Sequence, residues 1–234
     1  MLFRIGIGPG VILVAVLVTV YFYGNSIVKR NIETTGSQMT GTTVRLGAAD
    51  VAPFSGTGSL AKLEVGNPTG CKGALAVTVA RIIFKAKMSS VLSQPTVIDE
   101  FKVEAPEFNV EGTLLRNNLT EILENVMKMP SKKKFIVRDL LITGAVVKLN
   151  LSDSFGSGMP PSMTLPSLHL TDLGAAANGE RASQIAKEVA GPLMLSIAEI
   201  ALNASSQSSA KTNASSGTDL LRGAVRSLGG LFGR

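Results

Sequence analysis

The residues best able to do chemistry are few. The only histidine, His169, sits in the strand-like run of residues 163–171. A lone histidine on a strand is more often a surface or satisfied residue than a general base, and no nucleophilic triad assembles around it. The only cysteine, Cys71, follows the turn Asn67-Pro68-Thr69-Gly70 and has no histidine near it in sequence. It therefore reads as a small, half-exposed residue, and one cysteine can build neither an internal disulfide nor a multi-cysteine metal site. Gly6-Ile7-Gly8-Pro9-Gly10 lies at the start of an apolar run, and Gly56-Thr57-Gly58 lacks the strand, Lys-Ser/Thr and helix context of a phosphate loop. Asp99 and Glu100 are neighbours on a strand, so their carboxylates face opposite sides and cannot share acid–base work. We expect no catalytic residue, no cofactor site and no metal site, and hence no enzyme.

The net charge of +6 does not make a nucleic-acid binder. The basic residues are scattered apart from Lys132, Lys133 and Lys134, and aromatics amount to only 5% of the chain. Base stacking has little to work with. A basic protein beside anionic lipid head groups accounts for the charge as well.

The element that would bring the chain to a lipid surface is at its start. Residues 5–24 carry no charge, and residues 11–20 are almost wholly aliphatic. At about 1.5 Å per residue this run spans about 30 Å, a hydrocarbon core's thickness. Ile5, Val11, Leu13, Val16 and Val20 lie along it, and Tyr21 and Tyr23 stand at its far end, where amphipathic rings favour the interface. Signal peptidase needs small residues after the apolar run, and Tyr21-Phe22-Tyr23 is bulky there, so a retained anchor is expected. Lys29 and Arg30 beyond the span nearly balance Arg4 and the amino terminus, leaving orientation weakly specified by charge.

Residues 25–33 continue the anchor as a short helix that Thr34-Thr35-Gly36 should break, and a single domain of residues 34–203 follows. Period-two alternation dominates its start: Val44 and Leu46; Ala61, Leu63 and Val65; Leu75, Val77 and Val79; then Ile82, Phe84, Ala86 and Met88 on the opposite parity. With turns at Ser55-Gly56-Thr57-Gly58 and Gly66-Asn67-Pro68, this predicts half-buried antiparallel strands. Residues 98–110 then align without gaps on residues 137–149, an internal repeat with an offset of 39 residues. Each copy should be two strands meeting at a kink, Ala105-Pro106 in one and Gly144-Ala145 in the other.

Between the copies, Leu119, Ile122, Leu123 and Val126 fall at helical spacing, with Asn117 or Asn118 as N-cap and Pro130 as the stop. A second helix, residues 183–203, carries Ile185, Val189, Leu193, Ile197 and Ile200, with Gly191-Pro192 expected to kink or split it. Each apolar face can lie on a sheet or line a lipid cavity, and packing is the commoner use. Residues 204–218 lack hydrophobic period and read as a flexible linker. Residues 219–234 form a basic amphipathic tail in which Leu221, Arg222, Val225, Arg226 and Leu228 could dock on an anionic membrane or in a groove.

Several segments carry a family resemblance. They are Thr34-Thr35-Gly36, residues 39–47, Gly56-Thr57-Gly58-Ser59-Leu60, Leu63-Glu64-Val65-Gly66-Asn67-Pro68, Val97-Ile98-Asp99-Glu100, Pro106-Glu107 and Asn117-Asn118-Leu119. Together they resemble the N-terminal region of bacterial AsmA-family envelope proteins, over roughly residues 1–175. The resemblance implies an inner-membrane anchor and an α+β periplasmic domain: a curved, mainly antiparallel, taco-like sheet carrying the two amphipathic helices. It also implies a role in envelope lipid homeostasis, and it brings no catalytic residues. Bridge-forming relatives are far longer. The expected function is therefore a single-pass lipid-handling or lipid-sensing module, with an acyl chain in the sheet's groove. The alternative is a structural subunit bracing a larger membrane complex, whose partners would be proteins rather than nucleic acid.

Overall fold

The alternating segments form strands as their period demands. The computed structural model describes residues 9–113, 116–130, 132–151 and 162–209, with side chains from residue 24 to 197 of these, apart from Leu151, and at Glu199. In chain order the elements are α1 (Pro9–Thr40), β1 (Val44–Ala52), β2 (Thr57–Gly66), β3 (Leu75–Ala86), β4 (Thr96–Gly112), α2 (Asn118–Lys128), β5 (Lys134–Thr143), β6 (Val146–Leu151), β7 (Ser162–Thr164), β8 (Leu168–Leu173), β9 (Glu180–Arg181) and α3 (Ala182–Ser209). The fold is α+β. One mixed sheet runs in the order β1-β2-β3-β4-β5-β8, with β6 and β7 continuing it beside β4 and β9 added to β5. Its first four strands are the expected antiparallel meander.

The internal repeat is realised by side-by-side pairing of its two copies. β4 lies parallel to β5 and then to β6, and Ile98 faces Val137, Phe101 faces Leu140, Val103 faces Ile142, Phe108 faces Val147 and Val110 faces Leu149. Every pair is separated by the repeat's own offset of 39, so like residues stack across the strands. Parallel neighbours need a crossover, which α2 supplies. The copies, whose mutual direction the repeat leaves open, meet in parallel within an otherwise antiparallel sheet. One expectation is corrected: the first copy is one unbroken strand, and only the second divides at Gly144.

The kinks belong to a crease that crosses the sheet. Positive φ values occur at Lys62 (55°), Ala105 (47°) and Gly144 (65°). The register sets Gly47 opposite Lys62, Lys62 opposite Ala80, Ala80 opposite Ala105, and Ala105 beside Gly144. At this line the parity of the inward side chains switches in strand after strand: Val77 and Val79 point into the core before it, and Ile82 and Phe84 after it. The change of parity legible in β3 is the imprint of that crease.

All three helices contribute to one apolar side. Leu46, Leu60, Val79 and Ile82 form a core against Ile32 of α1, and Phe101 and Val103 link it to a second core of Val110, Leu119, Val137, Leu140, Ile142, Val147, Ile185 and Ile197. The opposite side carries ion pairs, among them Lys148–Glu107 at 2.7 Å and Arg138–Asp99 at 3.4 Å.

Helix α1 does not break at residues 34–36. It runs to Thr40 and ends where Gly41 adopts a φ of 71°. Tertiary contacts override the local breakers, because every fourth residue of α1 engages the open edge of β1. The Val51 N–H donates to Asn25 Oδ1 at 2.9 Å, Lys29 Nζ to the Gly47 carbonyl at 3.2 Å, the Leu46 N–H to Glu33 Oε1 at 2.9 Å, and the Val44 N–H to Ser37 Oγ at 2.8 Å. Unpaired edge groups invite pairing with other chains, and this polar stripe occupies them. Gly36 permits the approach, since a Cβ there would lie 3.1 Å from Val44 Cγ1.

At the other end, α3 passes through Pro192 unsplit and continues to Ser209, into the segment expected to be a linker. Ala and Gln propagate a helix once a packed turn has nucleated it. Residues 210–218 and the tail of residues 219–234 lie outside the described residues, as do Ile5 and the side chains of Val11, Leu13, Val16, Val20, Tyr21 and Tyr23. Among the described residues no helix is long and apolar enough to cross a membrane. Of the expected span, residues 5–8 lie outside that set, and residues 9–23 are described as helix without their side chains.

Candidate functional site

The most ligand-like feature is an apolar cleft between α2, α3 and the sheet. Helix α2 begins at Asn117, whose side chain accepts from the Thr120 N–H at 3.0 Å while Thr120 Oγ1 accepts from the Asn117 N–H at 3.0 Å. This reciprocal cap satisfies two orphan donors and fixes the helix's phase. Leu119, Ile122, Leu123 and Val126 consequently turn toward the sheet, as their spacing predicts. Helix α3 contributes Ala190, Leu193, Met194 and Ile197, and Val77 and Phe108 form the floor. The packing is incomplete and leaves about 170 Å³. Dry apolar cavities of about 150 Å³ bind a six-carbon ring, so the cleft can take a segment of acyl chain of about that carbon count. Sequence analysis named the α2 residues, Leu193 and Ile197 on their helix faces and Val77 on its strand, but missed Ala190, Met194 and Phe108. The signal in α3 was the i, i+3, i+4, i+7 stripe of residues 190, 193, 194 and 197.

Beside the start of α2 is a polar clasp built from two of the segments that carry the family resemblance. Asn118, 2% exposed, donates from Nδ2 to Asn67 Oδ1 at 2.6 Å and to the Asn109 carbonyl at 2.7 Å, and its Oδ1 accepts from the Glu111 N–H at 2.9 Å. Asn67 Nδ2 donates to Glu111 Oε1 and to the Gly73 carbonyl, and Glu111 accepts from the N–H groups of Lys72 and Gly73, both at 2.8 Å. The Asn-Pro turn and the Asn-Asn-Leu helix start thus meet across the end of the sheet. Their chemistry is structural, since nearly every polar atom is consumed internally.

Cys71 lies half-buried at the rim of an open depression of about 700 Å³, with Gly70, Lys72, Gly73, Glu111, Gly112 and Asn150. Burial, with the carboxylates of Glu111 and Glu121 nearby, pushes its thiol up. That lowers the share of thiolate, the nucleophilic form. His169 lies on β8, exposed, with Nε2 3.1 Å from Asp139 Oδ1 on β5. Neither residue approaches the cleft. Glu180 and Glu188 form a carboxyl pair at the start of α3: partial burial, then the hydrogen bond and the charge of Glu180, hold Glu188 above the ordinary carboxyl range. Glu180 Oε2 is buried without a partner among the described residues. Among the described residues no three potential ligands gather for a metal ion.

Compared with known proteins, the chain matches no protein-family model and no curated protein.

Proposed function

We propose that this chain is a single-pass, membrane-anchored, non-enzymatic envelope protein of AsmA-like character that holds or senses a lipid acyl chain in the cleft between α2 and α3. The inner membrane with the domain on the periplasmic side is the setting that the resemblance implies. The observation that carries the reading is the cleft: about 170 Å³ bounded by aliphatic side chains, Met194 and Phe108, left open in an otherwise packed face. Burial of apolar surface contributes about 25 cal/mol per Å², so even a few methylenes gain affinity there.

A solitary bridge between two membranes does not fit this chain. The main path of the sheet is six strands wide. At about 4.8 Å per strand spacing that is about 24 Å. Holding a lipid beside its own membrane fits the size.

The test is native mass spectrometry of the full chain released with its lipids, beside an Ala190→Phe variant that fills the cleft. The reading expects a bound acyl lipid that the variant loses while its Tm is kept or raised. Absence of lipid, or equal lipid on both proteins, overturns it. Stoichiometric partner subunits without lipid would favour the structural-subunit alternative.

A further inference from the structure

Large apolar side chains on a surface are ordinary when scattered, and informative when gathered at one place. Among the described residues the exposed ones are Ile27, Phe54, Met88, Val91, Leu92 and Met127. Phe54, Met88, Val91 and Leu92 lie at a single end of the molecule. Phe54, 75% exposed, tips the β1–β2 hairpin, and Leu92, 100% exposed, tips the β3–β4 loop. The two tips touch: the Ala86 N–H donates to the Gly56 carbonyl at 2.8 Å, and the Met88 thioether lies against Gly56.

The β3–β4 loop is tightly built. Ser90, 7% exposed, donates from Oγ to the Lys87 carbonyl at 2.6 Å and accepts from the Val97 N–H at 2.9 Å, while the Ser93 N–H donates to the Ser90 carbonyl at 3.0 Å. A loop organised around a buried serine, yet displaying a fully bare leucine, presents that leucine to something.

The orientation of α1 indicates what. β1 runs antiparallel to α1, with Val44 beside Ser37, Leu46 beside Glu33 and Val51 beside Asn25. Three residues further on, at about 3.3 Å per residue, Phe54 stands up to about 10 Å beyond Asn25 toward Pro9, level with residues 18–24 at about 1.5 Å per helix residue. The helix itself runs on from Asn25 to Pro9. Cations outnumber anions among the fully exposed charges at this end. Lys85, Lys87, Lys132, Lys133, Lys134 and Arg181 are exposed here, against exposed Asp50 and Asp172, while Asp99, Glu100 and Glu180 lie half-buried beside them. The parallel start of β4 and β5 and the pairing of Lys134 with Arg181 bring the latter four to the same end as the tips.

We propose that Phe54, Met88, Val91 and Leu92 form a second membrane contact, inserting into the interfacial layer of the leaflet that the anchor leaves, with the lysines set against anionic head groups. Apolar wedges flanked by cations are the composition of interfacial membrane binding. The anchor and the tips would then hold the sheet at two points and fix its tilt, so that the domain cannot swivel about α1. The orientation rests on the anchor reading above.

Tryptophan is absent from the chain, so single-Trp variants report position without background. The full chain, carrying Leu92→Trp, Phe54→Trp, Thr69→Trp at the opposite end, or Val16→Trp in the anchor, is reconstituted in vesicles of phosphatidylethanolamine and phosphatidylglycerol, with or without bromine on the acyl chains near the glycerol. Insertion of about 5–10 Å predicts that Leu92→Trp and Phe54→Trp lose about half their fluorescence in brominated vesicles, while Thr69→Trp changes by less than about a tenth. If Val16→Trp is quenched and the tip variants behave like Thr69→Trp, the second contact is overturned and the anchor stands. If the tips are quenched and Val16→Trp is not, the contact stands and the anchor reading falls. No quenching at any position overturns both.

Discussion

Ala105 is exposed yet holds a φ of 47°, while the residue beside it across the parallel pair is Gly144 at 65°. For an L-residue the left-handed region costs about 1–2 kcal/mol, because Cβ crowds the following carbonyl. Glycine escapes that cost but loses about 0.5–1 kcal/mol through the greater freedom of its unfolded chain. Ala105→Gly should therefore stabilise the protein by about 0.5–1 kcal/mol, with no lost packing to offset it. Gly144→Ala should destabilise it by about 1 kcal/mol. The added Cβ would lie 3.6 Å from Ala105 Cα and 3.9 Å from Ala105 Cβ, which is ordinary contact, so the loss is one of backbone conformation and not of collision. The assay is urea unfolding of the full chain in a fixed detergent, with Tm as a second readout moving by about 2–4 °C per kcal/mol. The m-value should be unchanged in both variants, and the double variant should lie near the parent. A clear loss of stability in Ala105→Gly, or none in Gly144→Ala, would refute the crease.

Three further outcomes follow from the packing and the polar network. Asn118→Ala strips partners from the half-buried Asn67 carboxamide and the Glu111 N–H, and should cost about 1–3 kcal/mol in the same unfolding assay; a loss under about 0.5 kcal/mol would mean that water replaces the clasp. Ile142→Asp places an unpaired charge at a site 5% exposed and should abolish cooperative unfolding, whereas an unchanged Tm would contradict the inward parity of β5. Glu188 titrates above its usual 4.5 in the folded state, so the folded chain binds more protons in that window. Stability should fall as pH rises from about 4.5 through the raised value and level off above it; Glu188→Gln should flatten this slope, and an unaltered pH profile would contradict the carboxyl pair.

Much of the sheet was legible because burial on one face writes itself as period two. Val44 with Leu46, and Leu63 with Val65, announce β1 and β2, and the parity change between Val79 and Ile82 already marked the crease. The repeat announced two equivalent units but not their mutual direction. Side-by-side parallel pairing and antiparallel return are built from the same residues, and only the crossover through α2 decides. The termination of α1 was misread at Thr34-Thr35-Gly36 because local propensity says nothing of Glu33 and Ser37 bonding an edge strand that comes later in the chain. The i+4 spacing of Asn25, Lys29, Glu33 and Ser37 was the available sign. The cleft was half legible. Apolar stripes on α2 and α3 showed that the helices pack, whereas the unfilled volume depends on how far apart they sit on Val77 and Phe108. Asn67 and Asn118 stood out as motif residues, but their contact across 51 positions of sequence is a tertiary fact.

The occupant of the cleft is the central claim, and photo-crosslinking addresses it most directly. A benzophenone amino acid replaces Met194 in the full chain, is irradiated in native membranes, and its adducts are identified by mass spectrometry. The account predicts a lipid adduct at this position that Ala190→Phe suppresses and that the same probe at exposed Thr69 does not give. Adducts confined to protein, or lipid adducts equally abundant at residues 194 and 69, would contradict it.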